Sequence, residues 1–447
     1  MKNILIICEK FAPENTVGAT RMTKIAKYLK LSGKYEVTVV TRKYSGVADS
    51  LLQKDIQYID KFIYASEGWF GRKVKNAYTY KSTSKGYADE KRKQASILAQ
   101  KDIKAYFIAL KKSIVSVISV LITEIIARSY AKNATNEIRK QNCKYDVIIS
   151  SHGPEASHYI GRSCKKIQND AIWIADFRDQ LYQGEATFGL LRLWSKTYAQ
   201  RICQKADWYT AVSKGCMENI FPPIGSNMKV ITNGYDKDDV IGIEGKYKNY
   251  GVLTFAYIGS FLIGRRDISP VFRAVQELVL EKKIDKKKIQ FIYAGDDEAE
   301  FILQSHKYEL DSSIFSLGKV RREEALSWEM SSDILLLAAW NTQGYTGSLP
   351  AKFYEYLNCG KNIVCCISGT AGESELKSII ESTNAGFCYE EFSDEKDGVA
   401  LKEYIMNAYN IFFSTGKFDN KYNVDAVKKY DHKILSLQIQ DLIEKSG

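Results

Sequence analysis

Short apolar runs recur along the chain, and each is followed by a stretch of helical period. Residues 4–8, 36–41, 146–150, 171–176, 208–213 and 229–233 form a first series. Residues 253–260, 289–296, 314–320, 333–339, 361–368 and 386–390 form a second. Strand–helix alternation of this kind predicts parallel sheets covered by helices on both faces. Two series predict two doubly wound domains. Residues 235–251, YDKDDVIGIEGKYKNYG, are polar and without period, which suits a hinge between them.

One region breaks the rhythm. Residues 70–142 are basic and largely helical in pattern. Within them KKSIVSVISVLITEIIA, residues 111–127, is apolar but too short and too interrupted for a membrane span. Two readings stand: an insertion helix packed on the first domain, or an amphipathic element lying on an anionic membrane. Arg72, Lys73, Lys75, Lys81, Lys85, Lys91, Arg92 and Lys93 would supply the charge for the second.

Composition narrows the class. At 447 residues, two domains are expected, and 45% hydrophobic content suits two soluble cores. The nine cysteines have no regular spacing and several lie in apolar runs, as in reduced cores of a cytosolic protein. The four histidines are scattered, so no metal site is expected. The opening MKNILIICEKFAPEN reads as a first strand, being too short and too soon polar for a signal peptide. A net charge of +11 favours anionic partners such as phosphates or lipid headgroups. No nucleic-acid module is present, and nucleic acid is not an expected partner.

Residues 345–364, YTGSLPAKFYEYLNCGKNIV, carry the densest chemistry. TGSLP is a loop of small residues that leaves its backbone open to a ligand. Pro350 suits the first turn of a helix, where its missing N–H costs nothing. Gly360 ends that helix before the apolar strand KNIVCCI. A helix start behind a glycine-bearing loop is an anion site, because free N–H groups and the helix dipole both point outward. Glu355 lies inside this helix, where a carboxylate can grip a ribose diol while backbone amides hold phosphates.

This segment resembles the donor-binding signature of the family 4 glycosyltransferases, which have the GT-B fold and use nucleotide sugars. In the family a pair of glutamates precedes a Gly-Lys pair and a strand. Glu355 matches the second acid and Gly360-Lys361 the pair, while Gly347 stands where the first acid would fall. SLPAKFYEYL is similar to a subgroup of bacterial surface-polysaccharide transferases. The resemblance implies an α/β GT-B architecture, two doubly wound Rossmann-like domains facing a cleft. Residues 1–235 would form the acceptor-side domain, 236–250 the hinge and 251–415 the nucleotide-sugar domain. Residues 416–447 would be helices crossing back to the first domain.

Ligands bind beyond the carboxyl ends of strands in open parallel sheets, so the loops there supply further candidates. FAPENTVGATR places Gly18 ahead of a helix expected to begin near Ala19, and the resemblance brings this loop to the donor diphosphate and the acceptor. His152 follows DVIISS, either as a structural histidine or as a hydrogen-bonding group for acceptor or donor sugar. In Asp176-Phe177-Arg178-Asp179 the charges either shape their own loop or line the cleft, as the similarity of DFRD to the same subgroup implies. Gly259 and Ser260 open a turn, and Arg265 and Arg266 precede a helix. A guanidinium meets phosphate bidentately and keeps its charge, and Arg266 is favoured for that task. Lys352 is the second cation expected. The resemblance also puts the backbone of Lys319 and Val320 beside the donor base.

The expected catalytic set is therefore His152, Arg178, Asp179, Arg266 and Lys352. The expected donor-binding set is Gly18, Gly259, Ser260, Arg265, Arg266, Val320, Gly347, Ser348, Leu349, Pro350, Lys352 and Glu355. The resemblance implies metal-independent transfer of a sugar, with retention, from a nucleotide-diphosphate donor without any cofactor. The acceptor would be a lipid-linked glycan for capsule, O-antigen or exopolysaccharide, on the inner face of the plasma membrane. Two other classes remain: a GT-B nucleotide-sugar epimerase, and a non-catalytic nucleotide-sugar-binding partner.

Overall fold

The apolar runs assemble into two separate, wholly parallel sheets in a computed structural model that describes residues 1–82, 103–153, 156–179, 201–220, 225–247, 251–262, 264–344 and 346–446. The first sheet contains β1 (Lys2–Ile7), β2 (Tyr35–Thr41), β3 (Lys61–Tyr64), β4 (Val147–His152), β5 (Ile172–Phe177), β6 (Trp208–Ala211) and β7 (Met228–Val230). Its order is β3-β2-β1-β4-β5-β6-β7. The second contains β8 (Leu253–Ile258), β9 (Ile289–Ala294), β10 (Ile314–Ser316), β11 (Ile334–Trp340), β12 (Asn362–Ser368) and β13 (Gly386–Glu390), in the order β10-β9-β8-β11-β12-β13. β3 escaped the sequence reading because KFIY buries only Ile63 fully, so an edge strand shows no apolar run.

Period-two alternation explains why the strands read as unbroken apolar runs. Leu5 and Ile7 enter the core on one face of β1, and Ile4 and Ile6 enter the core on the other. In β11, Leu336 and Ala338 face one core while Leu335, Leu337 and Ala339 face the second. Both faces are covered, so no residue of either strand's centre can be polar.

Among the described residues the insertion supplies two helices, Trp69–Ser82 and Ile103–Lys140, packed on each other. The second delivers Ala127, Tyr130, Ala131, Ala134 and Ile138 to the first domain's core. Trp69 and Phe70 stay exposed beside Arg72, Lys73 and Lys75. Lys85, Lys91, Arg92 and Lys93 lie outside the described residues, as does the side chain of Lys81. Among the described residues, no helix is long and apolar enough to cross a membrane.

The final helix, His432–Lys445, packs on the helix Val17–Leu31 of the first domain, with Leu435, Ile439, Leu442 and Ile443 in that domain's core. Backbone bonds fix where it starts: Tyr235 N–H donates to Tyr430 O at 2.9 Å, and His432 N–H to Tyr235 O at 2.8 Å. The polar segment that follows Tyr235 is no loose tether at its start. Asp236 and Asp239 are buried against Lys24, and Asp236 also accepts from Lys27 and from the Tyr28 hydroxyl, both at 2.7 Å.

A second buried charge ties the strand ends of the first domain. Arg21 donates from Nε and Nη2 to the Asp176 carboxylate at 3.1 and 2.7 Å, and from Nη2 and Nη1 to the carbonyls of Ile231 and Thr232. Asp176 also accepts from Ser151 and Thr210. Burial pushes the Asp176 pKa up, but Arg21 and these donors more than offset it and hold it below the usual carboxylate range. The pair therefore stabilises the fold above the unfolded Asp pKa, and the contribution is lost as pH falls through the folded value. Asp176→Asn should cost about 3–5 kcal/mol at neutral pH by leaving Arg21 buried without its counter-charge. Urea unfolding of the variant at neutral pH checks this, and a loss below 1 kcal/mol (~1) would show that the pair is solvated in solution.

Candidate functional site

Strand order reverses around β1 in the first sheet and around β8 in the second, and crevices open beyond the strand ends at such points. The two crevices face each other across one cleft of ≈ 500 Å³. Thr16, Val17 and Arg21 line it from the first domain. Tyr257 to Ser260, Arg266, Pro350, Lys352 and Glu355 line it from the second.

The helix Ala351–Cys359 forms the wall with the clearest chemistry. Pro350 is its extended N-cap, and Gly360 ends it in the left-handed region at φ 69°. Among the described residues no side chain caps the start; Phe353 N–H bonds back to Pro350 O at 3.1 Å, and Ala351 and Lys352, ahead of it, line the cleft. Lys352, second residue of the helix, bonds both Glu355 and the fully buried Glu329, the latter at 2.6 Å. Glu355 also lies 3.5 Å from Arg322 Nε. Burial alone would raise the Glu355 pKa, but Lys352 and Arg322 lower it to about 2. Burial raises that of Glu329 to about 8, Lys352 only partly opposing it. Glu355 is thus the ionised member at neutral pH, with two cations already on it.

Arg266 donates to Ser260 O at 2.6 Å, and its Nε has no hydrogen-bond partner among the described residues. Of the cations that line the cleft, Arg21, Arg322 and Lys352 are each held by carboxylates, and Arg266 alone pairs with none among the described residues. Arg265 is not a lining residue; its guanidinium sits 5.5 Å from the centre of the Trp340 ring. Val320 and Lys319 border an adjoining recess of ≈ 220 Å³ that shares Gly259, Ser260, Lys352 and Glu355 with the main cleft.

The candidates of the first domain form a separate group. The helix after β1 begins at Val17, two residues earlier than expected, capped by Thr16, so Gly18 falls inside its first turn. Gly18 makes room for Arg178: a Cβ there would sit 2.5 Å from the guanidinium carbon, and one on Gly153 would sit 2.4 Å from Nη2. Arg178 donates to the carbonyls of His152 and Gly153 at 3.0 Å each and lies 3.5 Å from Asp179. His152 is buried against His158 and Phe177. Burial holds its pKa down to about 4, so the ring is neutral, and neither ring nitrogen has a partner among the described residues. None of these four lines the cleft of the second domain's candidates.

The loop before Pro350 turns away from that cleft as well. Leu349 is buried in the core, and Gly347, at φ +77°, lies against the first domain. A Cβ on Gly347 would meet Ser213 Oγ at 2.7 Å and Gly215 Cα at 2.8 Å. The two glycine backbones are in contact, which leaves no room for the acid that the resemblance led one to look for. Ser348 is half-buried and does not line the cleft.

Sequence reading missed Arg322 and Glu329, which carry no local signal; they matter through partners distant in the chain. It also missed that Asp55, Asp236 and Asp239 come together. Lys24 Nζ occupies their centre, at 2.7 Å from Asp55 and 2.9 Å from Asp236 and bonded to Asp239.

Two doubly wound domains facing one cleft, with the last helix returned to the first domain, make this the GT-B fold. Solved structures of that fold match the chain end to end. The lipopolysaccharide outer core galactosyltransferase WaaB, in apo form, aligns with a TM-score of 0.57 and 12% identity over 100% of both chains. Sucrose-phosphate synthase from Thermosynechococcus elongatus gives 0.57 and 12% over 100% of this chain and 99% of its own. Anabaena HepE in complex with UDP gives 0.56 and 13% over 100% of both. No family model matches the chain, and no curated protein matches its sequence.

The Glu329 proton has a measurable consequence. A folded pKa of about 8 stands above the ~4.3 of an unfolded Glu, so the folded state holds a proton that the unfolded chain releases. Stability should therefore fall as pH rises through that window. Glu329→Gln keeps the shape and should remove this part of the slope between about pH 5 and 8. Parallel urea-unfolding profiles for variant and wild type would mean that Glu329 is already charged in the folded protein.

Proposed function

We propose that this protein is a retaining glycosyltransferase of the family 4 type, moving a sugar from a nucleotide-diphosphate donor to an acceptor held by the first domain. The observation that carries the proposal is one wall of the cleft. There the open start of the helix Ala351–Cys359, the unpaired Arg266 and the ionised Glu355 fall within one site.

A diphosphate fits against the helix start and Arg266, where N–H groups and a guanidinium meet charge without having to reorganise. In this reading Glu355 takes the ribose hydroxyls, and the recess bordered by Val320 takes the base. Lys352 acts through Glu355, whose carboxylate already neutralises it, and it also bonds the protonated Glu329. In this reading charge on the departing diphosphate is stabilised by protein cations, with no metal or cofactor taking part. Gly18, Arg178, Asp179 and the neutral His152 belong to the acceptor side.

A lipid-linked glycan acceptor, at the cytoplasmic face of a bacterial membrane, suits the exposed Trp69 and Phe70 beside Arg72, Lys73 and Lys75. The similarity of SLPAKFYEYL and DFRD to surface-polysaccharide transferases supports the same acceptor class, and hence capsule, O-antigen or exopolysaccharide assembly. WaaB, of the same fold, is a lipopolysaccharide outer core galactosyltransferase. HepE holds UDP, which makes UDP sugars the first donors to test.

Thermal-shift titration against UDP, GDP, CDP and ADP sugars, with and without EDTA, tests the donor site. One nucleotide should raise the melting temperature whether or not EDTA is present. Glu355→Ala should weaken binding of that donor by about 1.5–3 kcal/mol, the range for hydrogen bonds to a charged group. Arg266→Ala should lower turnover more than donor affinity, because its contact strengthens as the diphosphate leaves. Epimerisation of free donor without an acceptor would replace this reading with the epimerase one. Donor binding with no turnover on any lipid-linked acceptor would point to a non-catalytic partner.

A further inference from the structure

Arg322 begins the helix Arg322–Ser331, and its side chain, only 12% exposed, meets carboxylates from three separate parts of the chain. Its Nη2 donates to Asp239 Oδ2, in the interdomain segment, at 3.0 Å. Its Nη1 lies 3.6 Å from Asp49 Oδ2 in the first domain, and its Nε lies 3.5 Å from Glu355 Oε2. A guanidinium can do this because its N–H groups leave along three different edges; an ammonium has no such fork.

Each outer partner is anchored. Asp49 Oδ1 accepts from the N–H groups of Leu51 and Leu52, at 3.0 and 2.9 Å, as the N-cap of the helix Ser50–Asp55. Its other oxygen, buried, has no hydrogen-bond partner among the described residues and faces Arg322. Asp239 also binds Lys24 of the first domain. Beside them Ser50 Oγ donates to Glu323 Oε1 at 2.7 Å, a second polar contact across the same junction.

We propose that Arg322 is a positioning residue that latches the two domains together and, in the latched state, orients Glu355. Closing the cleft brings Asp49 to Nη1, the guanidinium plane is then fixed by Asp49 and Asp239, and its remaining edge faces the Glu355 carboxylate. Opening removes Asp49 and frees the plane to turn. Donor affinity and domain closure are thereby coupled through one side chain that does not itself have to touch the donor. The link to donor affinity rests on the nucleotide-sugar reading of the cleft; the latch does not.

Asp49→Asn is the decisive variant, because Asn keeps the helix cap and the shape while removing the charge that faces Arg322. Small-angle scattering without ligand should give a larger radius of gyration for Asp49→Asn and for Arg322→Lys than for wild type. Calorimetric titration with UDP, and then GDP, CDP and ADP, should show Asp49→Asn weakening the nucleotide that wild type binds by about five-fold or more. The double variant Asp49→Asn/Glu355→Gln should bind no more weakly than Glu355→Gln alone, a non-additivity that a merely structural Asp49 would not produce. An unchanged radius of gyration in Asp49→Asn overturns the latch. An expanded Asp49→Asn with wild-type affinity, or fully additive losses in the double variant, overturns the coupling to Glu355. If wild type binds none of the nucleotides, the nucleotide reading fails, and the ligand-free scattering alone still decides for or against the latch.

Discussion

The ammonium of Lys24, buried among Asp55, Asp236 and Asp239, is the interaction on which the arrangement of the two domains depends. A lone buried ammonium is too costly to persist, and three buried carboxylates without a cation are costlier still. Each group is tolerable only while the others are present. Because Lys24 lies on the first domain's leading helix and Asp236 and Asp239 on the connecting segment, that mutual need fixes where the second domain begins. Lys27 and Tyr28 extend the cluster on one side, and Arg322 extends it on the other, toward Glu355. Charge in this protein is continuous from the linker to the wall of the cleft.

The cleft also divides its cations by employment. Arg21, Lys352 and Arg322 lie at the cleft but spend their charge inside the protein, holding strand ends, a helix turn and a domain junction. Arg266 holds a backbone carbonyl and lies over the Trp340 ring, and among the described residues no carboxylate pairs with it. A count of basic residues near a phosphate site therefore overstates what a ligand would meet. What matters is the charge left over after the protein's own carboxylates are satisfied.

Much of the fold was legible in the sequence, since β-strands buried on both faces leave apolar runs that no other context requires. The short edge strand β3 was not legible, because an edge has one neighbour and needs few apolar residues. The helix of the cleft wall was legible for a similar reason: SLPAKFYEYL and Gly360 compress a helix start, its acid and its stop into one local stretch. Arg322, Glu329 and the aspartates around Lys24 were invisible because their partners lie far away in the chain. Gly18 was read as a donor-binding glycine, and the reason for its lack of a side chain, the guanidinium of Arg178 packed against it, was not legible.

The contact between Gly215 and Gly347 bears on how this protein can change. The position where the better-known motif carries its first acid is here a point of backbone-to-backbone contact between domains. Installing a glutamate there would push the domains apart before its carboxylate could reach the cleft. A route to the fuller motif would thus have to begin on the other domain, with a retreat of residues 213–215, and every intermediate along it would hold its cleft more open than the present protein does. The missing acid is locked out by its neighbour across the junction, so any change in what this cleft holds has to be made elsewhere along it.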